Sequence, residues 1–507
     1  MVTAITFREL NRYIPPSLKP AKIMKKLLFP LSVLLFIAAG CSESGLFSEF
    51  DGAYYKNGIS EEEAGDRYTD YGENPFRKAS EYPQSTFGID ADGASYSNMR
   101  GYASEDYRIP KEAVRVEEFI NYFNFDYPEP TGENVSLHSE TSTCPWQDGH
   151  YLLRIGLKGM DLDVKPPANF VFLIDVSGSM DSEDKIDVIK SGFKRLAEQL
   201  DEDDRVAIVT YSGKVDVLLK SVPGSETKKI KNAIDDLHAG GSTAGGAALE
   251  MAYEIAEENY IEGGNNRIVL GTDGDFNVGV TSTDALIEMV QNYRNLGIYL
   301  TILGVGHGNL NESMMEQVAN KGDGNYEYID NGDQIYKVFV HEYMKFFTVA
   351  KDAKIQVTFD SVNVDSYRLI GYENRVLEDA EFDDDTVDAG EIGSTQTITA
   401  LYQVVPREGT SGKFGSLEFR YKRPGDAISR LISLDLDNNR RTFQSSSENM
   451  RFAASLAGFG MLLKESEFRG NLSFQDVRSW ANNARTFDPY GFREEYIELI
   501  DKVSDLD

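Results

Sequence analysis

A chain of 507 residues is too long for one ordinary domain, so roughly two to four folded units, or a central domain with large flanks, are expected. Its hydrophobic content of 41% and aromatic content of 11% supply real cores and exclude wholesale disorder. The formal net charge of −32 excludes DNA or RNA as a partner, because a polyanion would be repelled, and it favours divalent cations.

The first residues read as a targeting segment. Residues 1–23 lack signal-peptide character, which makes Met24 a candidate start. Lys25 and Lys26 precede an apolar run, Leu27 to Ala39, that is interrupted by Pro30 and too short to span a bilayer comfortably. The run ends Ile37-Ala38-Ala39-Gly40-Cys41, and small residues directly before a cysteine resemble a bacterial lipobox. That resemblance implies cleavage of residues 1–41 as a lipoprotein signal peptide, with Cys41 lipidated and the protein anchored to a membrane of the bacterial cell envelope. Ala38 stands where leucine is more usual; a cleaved secretory signal or a short anchor, with Cys41 an ordinary thiol, is the alternative. Acidic residues after Cys41 point to the outer rather than the inner membrane. With Cys41 lipidated only Cys144 remains, so no intramolecular disulfide is expected. The five histidines are scattered, and in His341-Glu342-Tyr343-Met344-Lys345 a lysine replaces the second histidine of a zinc-protease helix.

Residues 42–84 are polar and acidic and read as a flexible tether. An N-terminal extension follows over 85–165. Within it, apolar residues from Lys111 to Phe125 recur at helical spacing with charges between them, and Tyr151 to Leu157 looks like a strand. From 166 to 349 the pattern alternates. Strands are expected at Phe170–Ile174, Val206–Tyr211, Val215–Leu219, Ile268–Gly271, Ile298–Val305 and Tyr326–Ile329, with helices between them and a last helix over Asp333–Phe347. Apolar β-branched runs between amphipathic helices predict a doubly wound, mostly parallel α/β domain. Residues 350–507 form a C-terminal extension, β-rich to Leu436 and then two or three helices over 448–504. Both flanks are expected to meet beneath the central domain, opposite the carboxyl ends of its strands.

The strongest local signal is Asp175-Val176-Ser177-Gly178-Ser179, directly after the first apolar strand. In a doubly wound sheet, ligands bind at the carboxyl ends of the strands, where this turn lies. One carboxylate and two hydroxyls at alternate positions converge from a tight turn. Such hard oxygens suit Mg2+ and also accept Mn2+ or Ca2+. Two further oxygens are expected from other strand ends: Thr243, in Gly240-Gly241-Ser242-Thr243-Ala244-Gly245-Gly246, and Asp273, in Thr272-Asp273-Gly274-Asp275. The bland alternative is that Asp175 and the serines merely cap the next helix. Asp275 and Asn277 read as supporting loop residues.

Taken together, Asp175, Ser177, Ser179, Thr243 and Asp273 resemble the metal-ion-dependent adhesion site of von Willebrand factor type A domains. The resemblance implies that the serines and the threonine ligate one divalent cation directly. The aspartates would ligate it directly or through water, and an Asp or Glu carboxylate from a protein partner would complete the octahedron. The flanks add to it: Ser85-Thr86-Phe87-Gly88-Ile89-Asp90 and Val114-Arg115-Val116-Glu117-Glu118 resemble the N-terminal extension of a bacterial subfamily, and Tyr367-Arg368-Leu369-Ile370-Gly371-Tyr372 resembles its C-terminal extension. One departure is Gly393-Ser394-Thr395-Gln396-Thr397, where relatives often carry Gly-His-Thr.

Other motifs take plain readings. The Gly240–Gly246 loop lacks the lysine of a phosphate-binding loop, Gly304–Gly308 lacks the dinucleotide fingerprint, and Asp383-Asp384-Asp385 with Asp388 lacks the calcium-loop glutamate. The expected function is therefore a metal-dependent protein-binding module and not an enzyme. The alternatives are a structural envelope scaffold with an idle metal site, and a metal-assisted hydrolase using Asp175, Asp273 and a bound water. No general base or basic clamp clusters with the motif to favour the hydrolase.

Overall fold

The computed structural model describes residues 65–89, 92–241, 246–274, 283–308, 310–439 and 441–506. The central sheet has six strands: β1 (Ala168–Asp175), β2 (Arg205–Tyr211), β3 (Val215–Pro223), β4 (Asn265–Thr272), β5 (Ile298–Gly304) and β6 (Tyr326–Tyr328). Their spatial order is β3-β2-β1-β4-β5-β6, all parallel except the antiparallel edge strand β3. Every residue of β1 and of β4 is buried, as a strand covered on both faces requires. Side chains alternate between the two covers. Phe170, Phe172 and Ile174 join the core containing Phe193 and Leu196 of helix Val188–Ala197, whereas Val171 and Leu173 join Leu249, Ala252 and Tyr253 of helix Gly246–Glu258. The expected doubly wound α/β domain is what forms.

The last expected helix, Asp333–Phe347, is not continuous. It breaks into an α-turn Gly332–Tyr336, a π-turn Lys337–His341 and a 3-10 turn Tyr343–Phe346. The cause is charge. Glu342 N–H bonds Lys337 O five residues back at 2.9 Å, which brings the Glu342 carboxylate to the Lys337 ammonium. Lys345 reaches Glu342 at 3.3 Å and also pairs with Glu327. Both lysines are buried, and a regular helix would leave these charges without that pairing. The Lys111–Phe125 helical pattern likewise resolves into a 3-10 turn, Lys111–Ala113, and a short helix, Val116–Asn121.

The two flanks are woven together. One sheet runs Arg77–Lys78, Val364–Ile370, Thr397–Pro406, Tyr151–Gly159, Val135–Thr143; the other runs Val376–Leu377, Gln84–Gly88, Thr348–Phe359, Gly415–Lys422, Arg430–Leu436. Strands from 85–165 thus pair with strands from the C-terminal extension, and the two sheets share one core around Phe87, Ile155, Leu157, Val357, Tyr402 and Leu417. Helices Ala94–Ser104 and Val116–Asn121 pack against Glu448–Leu463, Phe474–Asn482 and Phe492–Ser504 through Tyr96, Phe119, Phe123, Phe452, Phe459 and Tyr496.

The expected tether, 42–84, lies outside the described residues as far as 64. Residues 65–84 are laid on the body and do not hang free. Asp66 is buried and accepts hydrogen bonds from Gly308 N (2.8 Å), Leu310 N (2.9 Å) and Tyr102 OH (2.6 Å). The docking continues through Arg67 N–H, which donates to Leu310 O at 2.8 Å, and through strand Arg77–Lys78, contacts of the backbone that a polar composition hides. Cys41 and the 1–41 signal segment fall outside the described residues. Among the described residues no helix is long and apolar enough to cross a membrane.

Candidate metal centre

In the order β3-β2-β1-β4-β5-β6 the chain direction of build-up reverses between β1 and β4, and a crevice opens beyond their carboxyl ends. Asp175 is the last residue of β1, and Asp273 directly follows β4. Both are fully buried, at 0% exposure, which no ordinary surface carboxylate is. Thr272 ties the two strand ends together by donating its hydroxyl to Asp175 Oδ2 at 3.2 Å.

The Asp175–Ser179 loop is fixed by three local bonds. Ser177 N–H donates to Asp175 Oδ1 at 2.8 Å, folding the loop back on the carboxylate. Gly178 N–H donates to Gly241 O at 3.0 Å, and Gly240 N–H donates to Val176 O at 2.8 Å. The glycine-rich loop is therefore docked on the motif loop, and Gly241 does so with φ +101°, a conformation other residues resist. This arrangement leaves Ser177 Oγ and Ser179 Oγ 3.0 Å apart, two hydroxyls converging on one place.

Burial pushes the Asp175 carboxyl up to about 6; Ser177 opposes this with its hydrogen bonds, and the charge of Asp273 adds to it. Asp273 Oδ2 accepts from Lys185 Nζ at 3.0 Å. Its other oxygen, Oδ1, is buried and accepts no hydrogen bond from any described residue. A buried carboxylate oxygen in that state is costly unless a cation or a donor faces it. Two carboxylates and two hydroxyls of hard oxygen character fit a divalent cation of the Mg2+ or Mn2+ type.

Of the residues expected to ligate metal, the structure brings Asp175, Ser177, Ser179 and Asp273 to this crevice. Thr243 lies outside the described residues, as do Asp275 and Asn277. Sequence reasoning missed Thr272 and Lys185. Thr272 reads only as the end of a strand, and Lys185 as one charge in the helical pattern from 185 to 200. Elsewhere among the described residues one cluster of carboxylates, Glu118, Glu312 and Glu316, is close enough to hold a cation. That place belongs to Arg115, whose guanidinium reaches Glu312 at 2.9 Å and Glu118 at 3.4 Å and also pairs with Glu316.

The chain is similar to known proteins over most of its length, from residue 62 to residue 506. A family profile described as von Willebrand factor type A domain matches residues 169–339. Profiles described as von Willebrand factor and as Uncharacterized protein YfbK, C-terminal, match residues 62–154 and residues 344–417 and 407–506. The chain is 38% identical over 473 residues to Uncharacterized protein YfbK of Escherichia coli (strain K12), covering 87% of this chain and 82% of that one. It is 31% identical over 166 residues to inter-alpha-trypsin inhibitor heavy chain H3 of Bos taurus, covering 31% of this chain and 18% of that protein. A solved structure, von Willebrand factor type A from Catenulispora acidiphila, aligns with a TM-score of 0.43 at 14% identity, over 75% of this chain and 91% of that one.

Proposed function

Because the chain belongs to the von Willebrand factor type A family, in the branch that contains Escherichia coli YfbK, we propose that it is a metal-dependent protein-binding module of the bacterial cell envelope. Domains of this type are typically metal-dependent adhesion or interaction modules and commonly bind a divalent metal. The observation that carries the reading is the buried Asp273 Oδ1, with no described donor, in the crevice where Asp175, Ser177 and Ser179 converge. Asp175, Ser177, Ser179, Thr243 and Asp273 would hold the ion, Mg2+ in preference to Mn2+ or Ca2+. Bound there, a divalent cation supplies an open coordination position for an Asp or Glu carboxylate of a partner protein.

The chain's own residues do the positioning. Ser177 N–H and the Thr272 hydroxyl orient Asp175, so that both of its oxygens are held before any ion arrives. The docked glycine loop holds the motif loop against the strand ends. Among the described residues the ammonium at the site, that of Lys185, is engaged by Asp273, and neutral hydroxyls provide half of the described metal donors. Such a set accepts an anion, and no proton shuttle stands among the described residues, so we read the site as binding and not as turnover. Lipid attachment at Cys41 would tether this module to the membrane, the outer one in preference to the inner.

Calorimetric titration with Mg2+ and Mn2+ tests the site. Saturable binding is expected in the wild type and should vanish in Asp175→Ala and in Thr243→Ala, with the circular dichroism spectrum unchanged. Metal-dependent capture of an immobilised acidic peptide should be lost in EDTA and in both variants. Capture that survives EDTA and both substitutions would sink the adhesion reading. Incorporation of labelled fatty acid in the wild type, and its absence in Cys41→Ser, tests the anchor separately.

A further inference from the structure

Lys185 stands at the crevice but has no part in holding the metal on the reading above. Its Nζ donates to Asp273 Oδ2 at 3.0 Å, with the lysine side chain 11% exposed and the carboxylate fully buried. It reaches there from the turn Glu183–Asp187, whose other charged residues, Glu183, Asp184 and Asp187, all face solvent. A lysine among three exposed acids has ready partners at the surface, yet this one is directed inward.

The fold makes room for that path. The Lys185 stem passes over Gly306, just beyond the carboxyl end of β5, where a Cβ would lie 2.4 Å from Lys185 Cε and 2.7 Å from Lys185 Cγ. A side chain at 306 would have to push the Lys185 stem aside, and the backbone there, at φ +68°, is itself of the glycine type. The turn that carries Lys185 is π-helical, with no side-chain cap, and joins helix Val188–Ala197 directly. π-turns are rare and occur frequently at functional sites.

Two buried carboxylates side by side need a compensating cation, and an ammonium supplies one charge where a divalent ion supplies two. We propose that Lys185, on Asp273 Oδ2, is a built-in counter-ion that competes by its charge with a divalent metal at Oδ1, holding the carboxylate when metal is absent and leaving it when metal binds. This rests on the metal-binding reading of the crevice. The tethered ammonium weakens metal affinity and keeps the metal-free crevice folded. The released Lys185 ammonium then turns out to the exposed carboxylates of its own turn, Glu183, Asp184 and Asp187, so occupancy of the site alters the charge of its rim.

The test uses the full chain and its Lys185→Met variant, which keeps the aliphatic stem, with Lys185→Gln as a second variant should the first not fold. Mn2+ affinity is measured by calorimetry, and thermal unfolding is followed in EDTA and in saturating Mn2+. The expected result is Mn2+ binding at least about tenfold tighter in the variant, the scale on which residues that hold a metal ligand act. The variant should also melt below wild type in EDTA and not below it with Mn2+. Equal or weaker Mn2+ binding in the variant overturns the proposal, the weaker case making Lys185 a residue that orients Asp273 for the metal. Absence of Mn2+ binding in wild type and variants alike brings down the metal reading itself, and the proposal with it. Binding in the variant alone supports both.

Discussion

Asp175 carries the electrostatic strain of the crevice. Burial pushes its carboxyl from 3.8 to about 6, with the charge of Asp273 adding to the rise. A folded-state pKa above the unfolded one favours the protonated folded form, so this contribution to stability is full below 3.8 and is lost as pH rises through about 6. A shift of that size is worth about 2–3 kcal/mol. Asp175→Asn keeps the oxygen that accepts from Ser177 N–H and removes the titration. In EDTA the variant should match wild type near about pH 4 and exceed it by about 2 kcal/mol above about pH 7, as read from urea unfolding. A stability difference that does not change with pH refutes this account. The same variant should lose the Mn2+-induced rise in melting temperature that wild type shows, exchanging function for stability. At this scale the sequence was legible where spacing carries chemistry: Asp175, Ser177 and Ser179 lie on one turn, and Asp273 closes an apolar run. Lys185 was illegible, because its place beside Asp273 depends on a glycine at 306 that is distant in sequence.

Among the elements, the main strands and helices of the central domain were legible from apolar periodicity, since burial on both sheet faces leaves an unambiguous record. What periodicity misread is where buried charge takes over. Arg115, Glu117 and Glu118, between the apolar positions of their helical pattern, have the look of a solvated face, yet each is at most 5% exposed. Arg115 bridges its own helix to Glu312 and Glu316 of helix Glu312–Lys321 in the central domain, and Arg375 of the C-terminal extension reaches Glu316 at 3.3 Å. Burial pushes the Glu316 carboxyl up, but Arg115 and Arg375 outweigh it and hold the group below its usual range. Arg115→Met would leave Glu118, Glu312 and Glu316 facing one another without the guanidinium they share, Arg375 remaining on Glu316 alone. The expected cost is about 3–5 kcal/mol in denaturant unfolding, and Arg115→Met with Glu316→Gln should recover part of it. A loss under about 1 kcal/mol would mean that the cluster is solvated in solution.

At the scale of the whole molecule, the flanks meet as partners in the same sheets, but the N-terminal one is not confined beneath the central domain as expected, since Asp66 accepts from Gly308 N just beyond the carboxyl end of β5. Strand Gln84–Gly88 pairs with Thr348–Phe359, and Tyr151–Gly159 with Thr397–Pro406, so neither extension has a complete sheet of its own. Sequence order conceals this, because hydrogen bonding between residues 86 and 356 leaves no local trace. Arg100 shows how tightly the parts are joined. From helix Ala94–Ser104 it donates twice to Asp330 of the central domain, at 2.7 Å each, and once to Glu495 of the last helix at 2.9 Å. One guanidinium thus spans all three segments of the chain while 6% exposed. A chain built this way should unfold as one unit despite its length, since neither flank can leave without unpairing a strand of the other, and the Arg100 guanidinium ties both to the central domain. Calorimetry of the wild type should therefore give a single transition, and Arg100→Met should lower its midpoint without splitting it, at a cost of about 3–5 kcal/mol. A chain ending at residue 349 should not be recovered in soluble form, because Tyr151–Gly159 would lose its Thr397–Pro406 neighbour and expose a bare sheet edge. Two resolved transitions in the wild type, or a soluble, cooperatively folding 1–349 chain, would show instead that the central domain stands apart and that the woven flanks serve something other than its stability.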